Sequence, residues 1–227
     1  MDIITEETEA CIFDLDGVIV DTARFHFKSW KRLADSLEIP FTRDDNERLK
    51  GVSRSDSLDI ILSLGDNSIS DEKKQELMDR KNEWYREYIS HMTPNDILEG
   101  VTEFLVFLKR NNVKMAIGSS SRNTPLILDR IDLGDYFEAV IDGNKISKSK
   151  PHPEVFLKGA EAMELKPEQC VVFEDATAGV EAAHAGGMKC IGVGSPEILS
   201  DADVVISSFK DDKIHELKSS FSSVMSH

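Results

Sequence analysis

The chain lacks several features typical of secreted or membrane proteins. It has only three cysteines in 227 residues, Cys11, Cys170 and Cys190, which lie far apart at the starts of apolar runs. We therefore expect buried free thiols in a reducing compartment, with no disulfide or metal role. No apolar run is long enough to span a bilayer. The amino terminus is acidic and has no positive start followed by an apolar block, so we expect a cytoplasmic protein without a signal peptide.

Positive charge is also scarce. The chain has 27 Lys and Arg residues against 42 Asp and Glu, which gives a net charge of −15. This balance argues against nucleic acid and anionic membranes as partners. With 40% apolar and 30% charged residues, the composition is typical of a globular protein. A negatively charged ligand would need local basic residues and a bound cation to reverse the potential at its site.

The chain contains two kinds of pattern, which predict an α/β fold with an inserted helical segment. Residues 22–91 have apolar positions at helical spacing, including Leu77, Trp84 and Tyr88. After residue 91, helical stretches alternate with short apolar runs at 113–117, 139–141, 170–173, 190–193 and 204–206. This alternation predicts a Rossmann-like parallel sheet. We expect a core domain of residues 1–21 and 92–227 and an all-helical cap domain of residues 22–91.

The first apolar run ends in a pair of carboxylates. Residues 11–16 read Cys-Ile-Phe-Asp-Leu-Asp, and Gly17 follows. Side chains two positions apart point to the same side of a strand, so Asp14 and Asp16 should lie side by side. Such a pair suits nucleophilic and acid–base chemistry. An Asp-rich turn after a strand is an equally good interpretation of this motif alone.

Three more polar clusters follow predicted strands, where ligands bind in parallel sheets. They are Ser-Ser-Ser-Arg-Asn at 119–123, Lys150 before a proline, and the pair Glu174 and Asp175. Each has a structural alternative. The first can cap a helix, the lysine can lie in a solvated loop, and the acidic pair can complement a helix amino terminus.

The order of the four clusters resembles the motifs of the haloacid dehalogenase-like phosphotransferases over nearly the whole chain. The resemblance implies magnesium-dependent phosphoryl transfer through an aspartyl phosphate. Asp14 would attack phosphorus, Asp16 would act as acid and base, and Ser119 and Lys150 would hold the phosphate. The implied magnesium ligands are Asp14, Asp16, Glu174 and Asp175. Phosphoryl transfer needs this set of a nucleophile, a cation and positioned donors.

Residues 22–31 and 49–58, with Lys81 and Asn82, resemble the cap of the sugar-phosphate mutases of that family. These enzymes move phosphate between the 1- and 6-positions of beta-glucose, with beta-glucose 1,6-bisphosphate as the intermediate. The resemblance implies catalytic roles for Thr22 at a hinge and for His26, which would couple cap closure to Asp16. The implied substrate-binding residues are Trp30, Gly51, Val52, Arg54, Ser57, Lys81, Ser119, Ser121, Arg122, Asn123 and Lys150.

Arg54 is expected to clamp the phosphate farther from Asp14, because a guanidinium binds phosphate through two parallel hydrogen bonds. Alternatively, Arg54 pairs with Asp56 on the surface, and His26 and Trp30 pack within the cap.

These features predict a monomeric enzyme that binds a small-molecule sugar phosphate. One alternative is a sugar-phosphate phosphatase of the same fold, and another is a binding protein on an inactive scaffold. The chain departs from the family pattern at Ser120, where alanine is expected, and at Ala176, where serine is usual. Both departures bear on substrate preference or rate more than on the class of reaction.

Overall fold

The computed structural model describes residues 3–49, 52–65 and 69–224. Its sheet has six parallel strands in the order β3-β2-β1-β4-β5-β6. The strands are β1 (Ala10–Phe13), β2 (Lys114–Gly118), β3 (Ala139–Ile141), β4 (Cys170–Glu174), β5 (Lys189–Val193) and β6 (Val204–Ile206). The predicted α/β fold with a Rossmann-like parallel sheet is confirmed.

The helices flank this sheet or lie between its first two strands in the sequence. They are α1 (Ala23–Ser36), α2 (Arg43–Glu47), α3 (Arg54–Leu64), α4 (Asp71–Ile89), α5 (Val101–Arg110), α6 (Thr124–Arg130), α7 (Glu154–Ala162), α8 (Thr177–Ala185) and α9 (Lys213–Val224). Helices α1 to α4 separate β1 from β2 and form the predicted helical insert. None of the helices described here is long and apolar enough to cross a membrane.

Strand β1 lies at the centre of the sheet and is buried on both faces. Ala10 and Ile12 join one apolar cluster, while Cys11 and Phe13 join the cluster on the other face. An unbroken apolar run is what a strand covered by helices on both sides requires. All three cysteines are buried and free, as expected.

The long helix α4 buries a face that includes a lysine. Its buried residues are Leu77, Lys81, Tyr85 and Ile89, four positions apart. Trp84 is only partly buried. The apolar positions Leu77, Trp84 and Tyr88 thus predicted this helix correctly. Its buried face also includes Lys81, which an apolar pattern does not reveal.

The inserted helices have an apolar cluster of their own, which includes Trp30, Leu33, Leu58 and Ile61. Tyr85 and Ile89 of α4 belong instead to a cluster of the sheet. The insert thus has an interior of its own, with one end of α4 joined to the core. The domain boundaries at residues 21 and 92 stay a prediction.

Candidate active site

The four polar clusters line one cavity of about 800 Å³ at the carboxyl ends of β1, β2 and β4. The insert forms its other side. Every predicted site residue within the described ranges lines this cavity: Asp14, Asp16, Thr22, His26, Trp30, Val52, Arg54, Ser57, Lys81, Ser119, Ser121, Arg122, Asn123, Lys150, Glu174 and Asp175. Gly51 lies outside the described residues. The roles assigned to these residues stay predictions.

A buried lysine joins two of the carboxylates. Lys150 Nζ donates to Asp14 Oδ1 at 2.6 Å and to Glu174 Oε1 at 2.5 Å. Lys150 is 4% exposed, so the interpretation as a solvated loop lysine is wrong. Glu174 also accepts a hydrogen bond from the Ala176 backbone N–H at 2.8 Å, at the start of α8. Part of its role is therefore structural, as the alternative interpretation proposed.

The charges at this end of the cavity perturb one another. Burial raises the pKa of Asp14 to about 7, although Lys150 opposes the rise. The carboxylates of Glu174 and Asp16 raise it further. Burial alone would lower the pKa of Lys150, but Asp14 and Glu174 raise it above its ordinary value. Lys150 therefore stays protonated and offsets part of the negative charge.

Asp16 lies between the sheet and the insert. Its carboxylate accepts a short hydrogen bond from Thr22 Oγ1, and His26 Nε2 lies 3.8 Å from the same oxygen. Burial raises the pKa of Asp16, whereas its hydrogen bond with Thr22 opposes the rise. A carboxyl group with a raised pKa and a position near the cavity can give and take a proton.

Asp175, the residue directly after β4, packs closely against the turn after β1. Gly17 has a φ of 86°, and a Cβ at this position would lie 2.1 Å from Asp175 Oδ2. Only glycine fits there, because it tolerates the positive φ and leaves room for the carboxylate. The turn thereby brings Asp175 beside the segment that carries Asp14 and Asp16.

The donor set fits a hard divalent cation by its chemistry. The carboxylates of Asp14, Asp16, Glu174 and Asp175 line one cavity, with Lys150 between two of them. Mg²⁺ prefers such oxygen ligands. Within residues 3–49, 52–65 and 69–224, however, no three His, Cys, Asp or Glu side chains already form a metal-binding group. Metal binding therefore stays a prediction.

The loop after β2 presents a row of small polar groups. Ser119 Oγ accepts from the Ser121 backbone N–H at 3.1 Å, and Ser121 Oγ accepts from the Asn123 N–H at 3.2 Å. Asn123 precedes α6 but makes no side-chain cap bond to it. The capping interpretation is therefore wrong for Asn123, whose amide is used elsewhere.

Cationic groups gather at the end of the cavity formed by the insert. Arg54, in the first turn of α3, donates to Asn82 Oδ1 at 2.9 Å, while Asp56 hydrogen-bonds to Ser53. The alternative of an Arg54–Asp56 pair is thus not what the structure contains. Burial lowers the pKa of Arg54, and the positive charge of Arg122 lowers it further. Two guanidinium groups that disfavour each other would be stabilised by an anion between them.

A second buried cation lies in an aromatic environment. Lys81 is 3% exposed, and its Nζ lies 3.3 Å from His26 Nδ1. The same nitrogen lies 4.6 Å from the ring centres of both Trp30 and Tyr85. Burial lowers the pKa of Lys81 to about 7, and the charge of Arg54 adds to this effect. Burial and the charge of Lys81 likewise hold the pKa of His26 well below its usual range.

The sequence patterns missed several cavity residues. Tyr85 contacts His26 with 4.3 Å between ring centres, and it lies four positions after Lys81 on α4. This four-residue spacing, which places Tyr85 on the same face of α4 as Lys81, is the sequence feature that could have identified it. Asn46 Oδ1 is a buried polar atom of a cavity residue with no hydrogen-bond partner, as is Oγ of Ser120, which the sequence had already singled out. No sequence signal pointed to Asn46.

Comparison with known proteins gave consistent matches along the chain. The family model for haloacid dehalogenase-like hydrolases matches residues 11–193. A beta-phosphoglucomutase from Bacillus subtilis is 45% identical over 205 residues, which cover 89% of this chain and 91% of the relative. A phosphorylated carbohydrates phosphatase from Thermotoga maritima is 34% identical over 186 residues, covering 81% and 83% of the two chains.

A solved structure also resembles the protein over nearly its full length. A beta-phosphoglucomutase from Clostridium difficile superposes with a TM-score of 0.89 at 38% identity. The match covers 97% of this chain and 100% of that one. The likeness therefore includes both the sheet and the inserted helices.

Proposed function

Because this chain belongs to the haloacid dehalogenase-like hydrolase family, we propose that it interconverts beta-glucose 1-phosphate and beta-glucose 6-phosphate. This is the reaction named for its relatives from Bacillus subtilis and Clostridium difficile. The substrate is a small sugar phosphate, and beta-glucose 1,6-bisphosphate is the intermediate. We also propose that the protein acts as a monomer in the cytoplasm, in keeping with its three free thiols.

The observation that carries the proposal is that one cavity has two different ends suited to phosphate. At one end, Asp14 and Lys150 offer a nucleophile and a cation joined at 2.6 Å. At the other, Arg54 and Arg122 provide positive charge from the insert and from the sheet. A mutase needs two such ends, because its bisphosphate intermediate carries a phosphate on each side of the sugar.

The reaction follows from the groups at the first end. An oxygen of Asp14 attacks phosphorus and forms a new O–P bond while the bond from phosphorus to the sugar oxygen breaks. Asp16 donates a proton to the leaving oxygen. The phosphoryl group on Asp14 then passes to the 6-hydroxyl oxygen of beta-glucose 1-phosphate, whose proton Asp16 removes, and the O–P bond to Asp14 breaks to give beta-glucose 1,6-bisphosphate. When the bisphosphate binds in the opposite orientation, Asp14 attacks the phosphorus on the 1-oxygen, Asp16 protonates that oxygen, and glucose 6-phosphate leaves with Asp14 phosphorylated again. Ser119 and Lys150 hold the phosphoryl oxygens during each transfer.

A divalent cation completes the charge balance in this proposal. Asp14, Asp175 and the main-chain carbonyl of Asp16 would hold Mg²⁺, with Glu174 close by. Bound there, it would neutralise the carboxylates and the phosphoryl oxygens so that the anionic nucleophile can approach.

The insert decides which acceptor reaches the phosphoaspartate. Thr22 and His26 contact Asp16 from α1 and the residue before it, so the position of the insert is coupled to the acid–base group. A closed insert keeps water away until a sugar hydroxyl arrives. A sugar-phosphate phosphatase of the same fold would instead admit water to the phosphoaspartate.

A coupled assay tests the proposal. The protein is supplied with beta-glucose 1-phosphate, Mg²⁺ and a trace of beta-glucose 1,6-bisphosphate, and glucose 6-phosphate and inorganic phosphate are measured together. We expect glucose 6-phosphate to form far faster than inorganic phosphate, with both lost when EDTA removes the metal. Rapid phosphate release without isomerisation would identify a phosphatase and overturn the proposal. Tight substrate binding without either product would indicate an inactive scaffold.

A further inference from the structure

A single amide oxygen connects the insert to the sheet beside the cationic end of the cavity. Asn82 Oδ1 accepts from Arg54 Nη2 at 2.9 Å and from Asn123 Nδ2 at 2.9 Å. Arg54 begins α3, Asn82 lies on α4, and Asn123 belongs to the loop after β2. Because a guanidinium can only donate, the oxygen of Asn82 must be the atom that faces Arg54.

Helix α4 makes a second contact with the same loop residue. Arg86 lies one turn after Asn82, and its Nη1 lies 3.4 Å from Asn123 Oδ1. The Asn123 amide thus donates to one residue of α4 and accepts from the next residue on that face. These contacts cross between insert and sheet, and they can form only when the two parts are close together.

The hydrogen bond to Asn82, and not the surrounding charges, fixes the direction of Arg54. Arg122 opposes the positive charge of Arg54 while Asp79 favours it, so neither charge alone determines where the guanidinium points. A carboxylate at position 82 would hold Arg54 equally well, but it would also neutralise the charge that binds phosphate. A neutral amide fixes the direction of the guanidinium and leaves its charge available.

We propose that Asn82 is a positioning residue that directs Arg54 toward the far phosphate of the sugar and is itself held by Asn123 when α4 meets the loop after β2. This inference rests on the proposed mutase function. It adds a residue that does not contact the reacting atoms but determines whether the second end of the cavity is ready when the insert closes.

The test compares two phosphoryl donors in Asn82→Ala. Acetyl phosphate carries one phosphate and does not need the far end, whereas beta-glucose 1,6-bisphosphate uses both ends. We expect Asn82→Ala to raise the KM for the bisphosphate about tenfold, the usual cost of losing a hydrogen bond to a charged group. Phosphorylation of Asp14 by acetyl phosphate should keep its wild-type rate within about twofold.

Two further variants make the result decisive. Glu83→Ala changes the next residue of α4, which is exposed, and should behave like wild type with both donors. Asn82→Asp keeps the accepting oxygen and should hold Arg54 but weaken bisphosphate binding through its charge. If Asn82→Ala matches Glu83→Ala, or if it slows both donors equally, the positioning role is overturned. Failure of the mutase proposal appears separately, as missing isomerisation by the wild-type protein.

Discussion

At the scale of single residues, the cavity holds buried polar groups that the fold compensates only in part or not at all. Lys81 is buried against two aromatic rings and a histidine, and Ser120 Oγ has no hydrogen-bond partner in the described structure. Such groups reduce stability unless a ligand or a function requires them. Stability measurements on these two residues therefore also test whether they belong to a site.

Replacing Lys81 should stabilise the protein at the expense of activity. The pKa of Lys81 in the folded protein, about 7, lies below the ordinary lysine value of 10.5, so the unfolded chain binds the proton more tightly. The resulting penalty is fully present below pH 7, shrinks as pH rises, and is absent above about pH 10.5. We expect Lys81→Met to raise the free energy of unfolding by on the order of 2 kcal/mol at pH 6.

Urea unfolding of Lys81→Met and wild type at pH 6 and pH 9.5 measures this effect. The gain should be clearly smaller at pH 9.5, while isomerisation is impaired at both values. A gain that does not depend on pH would show that improved packing, and not the removed charge, causes the stabilisation.

Ser120→Ala should also stabilise the fold. The substitution removes a buried hydroxyl that has no partner, and the remaining methyl group needs none. We expect a gain of about 1 kcal/mol in the free energy of unfolding, measured by urea titration without substrate. A loss of stability would mean that the hydroxyl is satisfied in solution.

The sequence predicted which site residues lie close together only where those residues are near one another in the chain. Asp14 and Asp16 both line the cavity, as their spacing predicted, but β1 ends at Phe13, so the turn after the strand and not the strand itself holds them there. The partner of Arg54 could not be predicted, because Asn82 lies on another helix and its oxygen faces Arg54 only after α3 and α4 pack. The same holds for the contact between Lys150 and Glu174, which depends on the packing of β4 and its neighbouring loop.

At the scale of elements, α8 begins without a side-chain cap. Ala176 is its N-cap residue, has extended backbone angles and offers no oxygen to the first turn. A serine there can accept a hydrogen bond from a free backbone N–H. We expect Ala176→Ser to raise the free energy of unfolding by about 1 kcal/mol. Ala176→Val, which is larger but has no cap oxygen, should not. Equal effects of the two variants would exclude capping as the cause.

The start of α7 holds the loop that carries the buried lysine. The Glu154 carboxylate pairs with Lys158 at 2.8 Å and accepts from the backbone N–H groups of Ser147 at 3.1 Å and Lys148 at 2.8 Å. The bond with Lys158 and those with the loop lower the pKa of Glu154 to about 2. This carboxylate therefore stabilises the fold fully above the ordinary glutamate pKa and loses the effect as pH falls toward 2.

Glu154→Gln should lower the melting temperature by a constant amount above pH 5, and the difference from wild type should narrow below pH 4.5. Glu161→Gln, an exposed change on the same helix, serves as the control. The melting temperatures of wild type and the two variants are compared by calorimetry from pH 7 down to the lowest pH at which all three proteins fold. A difference that stays constant over this range would contradict the assigned role of the charge.

Strands could be predicted where full burial gives the sequence a short continuous apolar run. The runs at 139–141 and 204–206 coincide with β3 and β6, and those at 113–117, 170–173 and 190–193 agree with β2, β4 and β5 within one residue at each end. The first run, 11–16, was predicted too long, because β1 ends at Phe13. The inward face of α4 was not predictable in this way. Its buried stripe includes Lys81, whose position depends on the cavity and not on its hydrophobicity.

At the scale of the whole molecule, two phosphate-binding ends have to work on one substrate. Arg54→Ala removes the clamp on the insert but leaves Asp14, Asp16 and Lys150 in place. We expect isomerisation to fall at least tenfold, while phosphorylation of Asp14 by acetyl phosphate is nearly unchanged. Measuring both rates in the same preparation checks this. Equal losses would mean that Arg54 supports the fold or the first end and does not bind the far phosphate.

The position of β1 has a consequence for synthesis of the protein. Its two neighbours, β2 and β4, begin 104 and 160 residues after Ala10, and Lys150 reaches Asp14 across 136 positions. A nascent chain that has not yet emerged beyond Glu174 therefore has a nucleophile but no assembled site. Contacts this distant in sequence form slowly, so a ribosome-bound fragment ending before β4 should take no phosphate from a donor, even if its helical insert has already folded.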